Sequence, residues 1–465
     1  REISLNVGFL LMPIVVDGSP SPRSHIKTLM RIGYDFCTAA ADIVDNSISA
    51  KSSNVNIFCP PGLLQPYISI SDDGYGMGED ELLNNMRIGC KDPTADRDVT
   101  DLGRFGSGLK TASFSQARSL TVISKTRNGD ICGARWDIDN IEKTDSWCLE
   151  ILDKLDISKL IEDGKVDIGG NGTQVIWDSL TCYQKDSHSL NTDEEIAKLL
   201  MSLKSHLGLY FHRFIGGGNK CNFYINNALV LPIDPFLTRS DGYQEGPSER
   251  FRCKGGHIEI KTHVLPSLSS MTQAHIDLLG GAMNIAQQQG LYIYRNKRLI
   301  NAGGWLNLAK NHQLSALARV QIDIPAALDE EWSTDVKKAS LQLPPRIKRD
   351  LKKYLKNPIK KSQKTYTYKG QIDEAGTLWN IVINEEEKII TYEINYDNAD
   401  LKALMEKLSR GHCSTLIAYL TKISKELPLD HIYNTMADRP KYIQQGNICE
   451  FDLNMIFDKP IRLGD

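Results

Sequence analysis

Apolar and polar positions in the first 180 residues follow two rhythms. In "FCTAAADIVDNSISA", Phe36–Ala50, the residues Ala39, Ala40, Ile43, Val44 and Ile48 recur at helical spacing and predict a helix with one buried side. Asp42 and Asn46 stand one turn apart and share a face of it. Short polar side chains favour caps over helix interiors. A helix that simply ends at Asp45, Asn46 and Ser47 is therefore the competing reading. "YISIS", Tyr67–Ser71, alternates as a strand and runs into the turn "DDGYGMG". A helix should follow, capped near Gly78, with Glu79, Asp80 and Glu81 in its first turn. Leu109–Gln116 predicts another helix, and Gln174–Trp177 another strand.

The same pattern continues more loosely. Thr192–Phe214 reads as an amphipathic helix, with Thr192 and Glu195 as a capping box. "CNFYINNALVLPIDPF" alternates and turns at Asn226–Asn227, as a hairpin would. "GLYIYRNKRLI" and "ARVQIDIPAAL" are strand-like, separated by "NAGGWLNLAKNHQLSA". Near the end, "TLWNIVINEEEKIITYEINYD" predicts two strands and "NADLKALMEKLSRGHCSTLIAYLTKISKEL" two helices.

At 465 residues the chain has room for about two to four domains. Its apolar content of 41% and charged content of 24% are those of ordinary globular proteins. No apolar run reaches the roughly 18 residues that span a bilayer. A net charge of -3 gives no global attraction to polyanions. Ten cysteines without a C-x-x-C pair, and ten histidines that never cluster, suggest neither a zinc site nor a disulfide framework. A reducing cytoplasm is the expected setting. One segment breaks the charge balance: Arg346–Lys364 holds nine basic residues against a single acid, Asp350. A solvated helix face ending in a linker is one reading; a contact to nucleic-acid phosphates, weakened by salt, is the other.

The glycines carry the candidate chemistry. Asp72 ends a strand, and Gly74 and Gly76 after it allow close backbone approach. A carboxylate there can accept from an exocyclic amine, and Met77 can pack against a flat ring. In "DLGRFGSGLKTAS", Gly103, Gly106 and Gly108 lead into a helix start. Free amides and the helix dipole there suit an anion, with Lys110 adding a charge. In "GGNGTQVIW", Gly172–Thr173 opens a strand, and the Thr173 hydroxyl could bond a base. An acidic turn, a surface loop and a plain turn are the bland readings of these three segments.

Taken in order, the helix acid and amide, D-x-G-x-G, the glycine loop with its lysine, and G-T resemble the nucleotide-binding fold of the GHKL superfamily. That group comprises gyrase-type topoisomerases, heat-shock-90 chaperones, sensor histidine kinases and MutL. Arg31–Ala50 and Asp101–Ser113 look most like the microrchidia (MORC) ATPases and their bacterial relatives. The resemblance implies an α+β chain in four parts. Residues 1–185 would be a Bergerat-fold ATPase sandwich of helices over a mixed sheet, and 186–345 an S5-like βαβ transducer. Residues 346–364 would be a basic helix or linker, and 365–465 a small α+β domain.

It also implies site roles. ATP and magnesium are the cofactors, with Asn46 completing the metal site beside the phosphates. Asp72 would read the adenine amine, while Gly74, Gly76, Met77 and Thr173 line the base pocket. Gly103, Arg104, Phe105, Gly106, Ser107, Gly108, Leu109 and Lys110 would form the lid, preceded by a mobile Met86–Pro93. Lys337 or Lys338 would reach the terminal phosphate from the transducer. Asp42 stands where the family usually has a glutamate general base. Its carboxylate lies about 1.5 Å further back, and misplacement of about 1 Å can cost on the order of a hundredfold in rate. Slow hydrolysis is the expectation. Ser49 stands where many relatives carry Asp, without obvious consequence.

The implied function is an ATP-gated homodimeric switch or clamp, in DNA-associated work or bacterial antiphage defence, with DNA held through Arg346–Lys364. A chaperone-like clamp on protein clients and a non-hydrolysing ATP sensor are the alternatives. A histidine kinase fits poorly, because His25 in "SPRSHIKTLM" has no room for a helical hairpin.

Overall fold

A computed structural model describes residues 20–89, 108–182, 192–215, 220–328, 345–367, 378–384 and 389–432, apart from 32, 254–255, 269, 313–314 and 430–431. The chain opens with α1 (Pro22–Met30), α2 (Phe36–Ser49), β1 (Asn54–Phe58), β2 (Ile68–Asp72), α3 (Glu79–Met86) and α4 (Gly108–Gln116). Then come β3 (Ala117–Lys125), β4 (Cys132–Asp137), α5 (Ile138–Thr144), β5 (Leu149–Leu152), α6 (Lys154–Glu162) and β6 (Gly172–Leu180). The first unit closes with α7 (Thr192–Tyr210), α8 (His212–Ile215), β7 (Asn222–Ile225) and β8 (Ala228–Leu229).

These strands form one eight-stranded sheet in the order β5-β4-β3-β6-β2-β1-β7-β8. Its pairs are antiparallel except β1 with β7, so the sheet is mixed. Alternation along the strands sends side chains to opposite faces. Val122 and Trp177 join a large core with α2, α4 and α7, while their neighbours Ile123 and Ile176 pack on the other face with Ile157 of α6. This is the helices-over-mixed-sheet sandwich expected from the sequence.

The α2 helix does not stop at Asp45. Asp35 caps its start, accepting from the Thr38 N–H at 3.0 Å, and the helix continues through Ser49. Its alanines, with Ile43 and Val44, are buried as the spacing required.

A boundary at residue 185 does not match the pairing. Leu203 and Leu207 of α7 lie in the same core as α2, and β7 pairs with β1. The helix read as the start of the transducer therefore covers the first sheet, because its apolar stripe is complementary to α2. The Asn226–Asn227 turn is as expected, with both residues at positive φ, 45° and 65°.

The second unit contains β9 (Gln244–Cys253), β10 (Gly256–Val264), α9 (Gln273–Leu278), α10 (Ala282–Gln287), β11 (Gly290–Arg295), β12 (Arg298–Ala302), β13 (Ala318–Ile324) and α11 (Pro345–Thr367). Its five strands run β12-β11-β13-β10-β9, with β11 and β13 parallel. Neither β9 nor β10 is predicted from the sequence, although the alternation of Ile258, Ile260 and Val264 marks β10. "GLYIYRNKRLI" is a hairpin, turned at Asn296 and Lys297 with φ of 47° and 69°. The basic segment is one continuous helix rather than a linker. Leu351 and Leu355 of α11 are buried in the core of this second sheet, and Tyr354 bonds Glu249 of β9 at 2.7 Å.

A third, small unit has the hairpin β14 (Trp379–Asn384) and β15 (Ile389–Ile394), followed by α12 (Ala399–Lys407) and α13 (Arg410–Lys425). No described helix is long and apolar enough to cross a membrane.

Candidate functional site

The site is built where α2 passes over the ends of β2 and β6. Asp72 is the last residue of β2. Its Oδ2 accepts from the Ser47 hydroxyl at 2.8 Å, and its Oδ1 from the Gly74 N–H at 2.9 Å. Burial pushes this carboxyl above its ordinary value. The Ser47 hydroxyl and the Gly74 and Thr173 amides pull the other way by favouring the anion. A desolvated carboxylate held by a few fixed donors is suited to reading one partner with a matching N–H.

The turn after Asp72 leaves no room for a side chain at Gly74 or Gly76. Gly76 has φ of 69°, and a Cβ there would collide with the Lys125 carbonyl. At Gly74 a Cβ would meet the Ala50 carbonyl at 2.7 Å. Asn171 clamps this turn, donating to the carbonyls of Asp73 and Gly74 at 3.0 and 2.5 Å. Ser124 of β3 organises the opposite wall. Its Oγ accepts from the Met77 N–H at 2.8 Å and lies 2.8 Å from Thr173 Oγ1 and 3.1 Å from the Gly172 carbonyl. Met77 is half-buried, with Asn85 Nδ2 at 3.3 Å from its sulfur.

Asp42 and Asn46 project from α2 on the side away from the core: Asp42 is half-buried and Asn46 exposed. A Cβ placed on Gly108 would lie 3.6 Å from Asp42 Oδ2, so this carboxylate faces the first turn of α4. Between the two, Asp45 turns inward and is buried. The donor set fits magnesium held chiefly by a ligand's own phosphates. Asn46 offers one accessible carboxamide oxygen, and no group of three metal-ligating side chains occurs among the described residues.

Asp72, Gly74, Gly76, Met77 and Thr173 are thus joined at the ends of β2, β3 and β6, while Asp42 faces Gly108 and Asn46 stands one turn further along α2. Leu109 is half-buried against the main core. Lys110, read from the sequence as a charge on the phosphates, is buried instead, and its Nζ donates to the Asn85 and Arg87 carbonyls at 2.6 and 2.8 Å. These carbonyls end α3, where the helix dipole favours a cation. Gly103, Arg104, Phe105, Gly106, Ser107, Lys337 and Lys338 lie outside the described residues. Sequence reasoning missed Ser47, Ser124 and Asn171. Ser47 carried a signal, being one helical turn from Ile43 on the inward side.

Comparison with known proteins finds similarity over the same part of the chain. Residues 34–167 match the family of histidine kinase-, DNA gyrase B- and HSP90-like ATPases. The matched stretch, similar to the GHKL ATPases, holds α2, β2 and the turn after Asp72. Among curated relatives, ATPase morc-1 of Caenorhabditis elegans is 28% identical over 125 residues, covering 27% of this chain and 12% of that protein. DNA mismatch repair protein MutL of a Thermoanaerobacter species is 31% identical over 112 residues, covering 23% of this chain and 18% of that protein. The chain therefore spans less than a fifth of the length of either relative.

Proposed function

We propose that this protein binds magnesium-ATP at the α2–β2–β6 site and hydrolyses it slowly, using the nucleotide to switch between conformations. The observation that carries the reading is the Asp72 carboxylate, held by Ser47 and Gly74 beside the tightly packed turn at Gly74 and Gly76. It would accept the adenine amine, while Met77 packs the ring. Asn46 would hold the magnesium, which when bound neutralises phosphate charge.

Asp42 would accept a hydrogen bond from the attacking water. Phosphoryl transfer needs chiefly positioning and charge stabilisation, which an aspartate can still supply. Its shorter reach is the reason for slow turnover. Roles for Gly103–Ser107 as a lid, and for Lys337 or Lys338 at the terminal phosphate, rest on the resemblance alone. Dimerisation on nucleotide binding is part of the proposal.

DNA is the proposed client. The buried Leu351 and Leu355 fix which side of α11 meets the sheet, so Lys352, Lys356 and Lys360 are exposed on the other side. The relatives named for DNA mismatch repair support this choice.

Calorimetry with ATP and magnesium should show uptake by the wild type. Asp42→Asn should retain that uptake and lose turnover. Heatless titration of the wild type, or loss of binding in Asp42→Asn, would contradict the assignment. DNA binding should weaken steeply between low and physiological salt, and its absence at low salt would remove the clamp reading.

A further inference from the structure

The nucleotide helix is held from outside its own unit. Arg298, the first residue of β12, follows the Asn296–Lys297 turn, and its guanidinium reaches into the first unit. Its Nε donates to Asp45 Oδ1 at 2.9 Å, and both side chains are almost wholly buried, 7% and 3% exposed. The guanidinium also stacks 3.9 Å from the centre of the Phe211 ring, and Nη1 donates to its neighbour's carbonyl, Leu299, at 2.7 Å. A second arginine crosses in the opposite direction. Arg213 of α8 lies 3.4 Å over the Tyr294 ring of β11 and pairs with Asp323 of β13.

Arg213 joins α8 to β11 and β13. Arg298 differs because of where its partner sits. Asp45 directly precedes Asn46 and lies three residues after Asp42 on the same helix. A planar, stacked and buried pair tolerates little sliding, since separating it strands a charge in apolar surroundings. Any shift or rotation of α2 must therefore carry the β11–β12 hairpin with it.

We infer that Arg298 is a positioning residue for the nucleotide site: through Asp45 it fixes the register of α2 that aims Asp42 and Asn46, and it passes nucleotide occupancy to the β11–β12 hairpin. This rests on the ATP reading above and adds a route into the second unit that does not involve Lys337 or Lys338.

The test compares the wild type with Asp45→Asn, Arg298→Gln, the double variant and Arg298→Lys. Each is followed by hydrogen exchange with and without magnesium and a non-hydrolysable ATP analogue. The double variant removes both buried charges together, so it keeps its fold where a single change strands one. In the wild type, the analogue should raise protection across residues 290–302. The double variant should still bind, roughly tenfold more weakly, with no response at the hairpin and a turnover loss mainly in kcat. Arg298→Lys keeps the charge without the fork and should fall between the two. An equal hairpin response in the wild type and the double variant overturns the inference while leaving the ATP reading intact. So does a silent hairpin in a wild type that binds the analogue. A wild type that takes up no analogue overturns both.

Discussion

The Ser47 hydroxyl donates to Asp72 Oδ2 across 2.8 Å, joining the helix that bears Asp42 and Asn46 to the strand that ends in the site carboxylate. This bond, with the core packing of α2 on β2, ties together the two ends of the proposed ligand's site. It also favours the ionised form of a carboxyl that burial drives the other way.

Ser47→Ala should therefore act twice. Removing a buried donor to a charged group costs about 1–3 kcal/mol of stability, readable by urea denaturation. Asp72 should lose part of its preference for the anion, and ATP affinity should fall severalfold by calorimetry. A variant as stable and as tight-binding as the wild type would show that the bond is incidental.

Gly76→Ala tests the tight turn beside Asp72. Its φ of 69° and the Lys125 carbonyl in the path of a Cβ leave the alanine no undistorted geometry. A cost of about 1–3 kcal/mol in stability is expected from the backbone alone. Nucleotide binding should be lost even at temperatures where the variant stays folded.

Lys110→Met separates anchoring from phosphate contact. With the ammonium gone, the Asn85 and Arg87 carbonyls lose a buried donor, and the nucleotide-free protein should lose about 1–3 kcal/mol. If the lysine's main contact were with phosphate, the nucleotide-free form would melt as the wild type does, and only the analogue-bound form would be weakened.

His263 gives the second unit an acid-sensitive point. It stacks on Phe236 with ring centres 4.1 Å apart, and its Nδ1 lies 2.6 Å from the Tyr243 hydroxyl. Burial, aided by the charge of Lys261, lowers its pKa from 6.5 to about 4. The unfolded chain therefore takes up a proton between those values while the folded chain stays neutral, so stability falls as pH drops through that window. The loss approaches about 3 kcal/mol at its lower end. His263→Gln should flatten that part of the stability profile, measured by denaturant titration from pH 7 to pH 4. An unchanged slope would refute the assignment.

Much of the first unit was legible along the chain because its signals are local. The α2 stripe, the alternation of β2, the turn residues Gly74 and Gly76, and the cap at Gly78 each depend on a few neighbouring residues. The first three motifs lie inside or beside these elements, within the stretch that matches the ATPase family, residues 34–167. Beyond Leu180 the reading weakened. The α7 stripe says that one face is buried, but not against which sheet, and β9 has no clean alternation to announce it.

The sequence by itself determined which residues could form a nucleotide site and on which elements they stand, since helix and strand periods are set by nearest neighbours. Only the tertiary structure decided what each polar group touches. It turned Lys110 away to the end of α3, placed Ser124 between Met77 and Thr173, and set Arg298 against Asp45 across 253 residues of chain. The reason is physical: a buried polar or charged group must find a partner wherever packing brings one, and packing takes no account of distance along the chain.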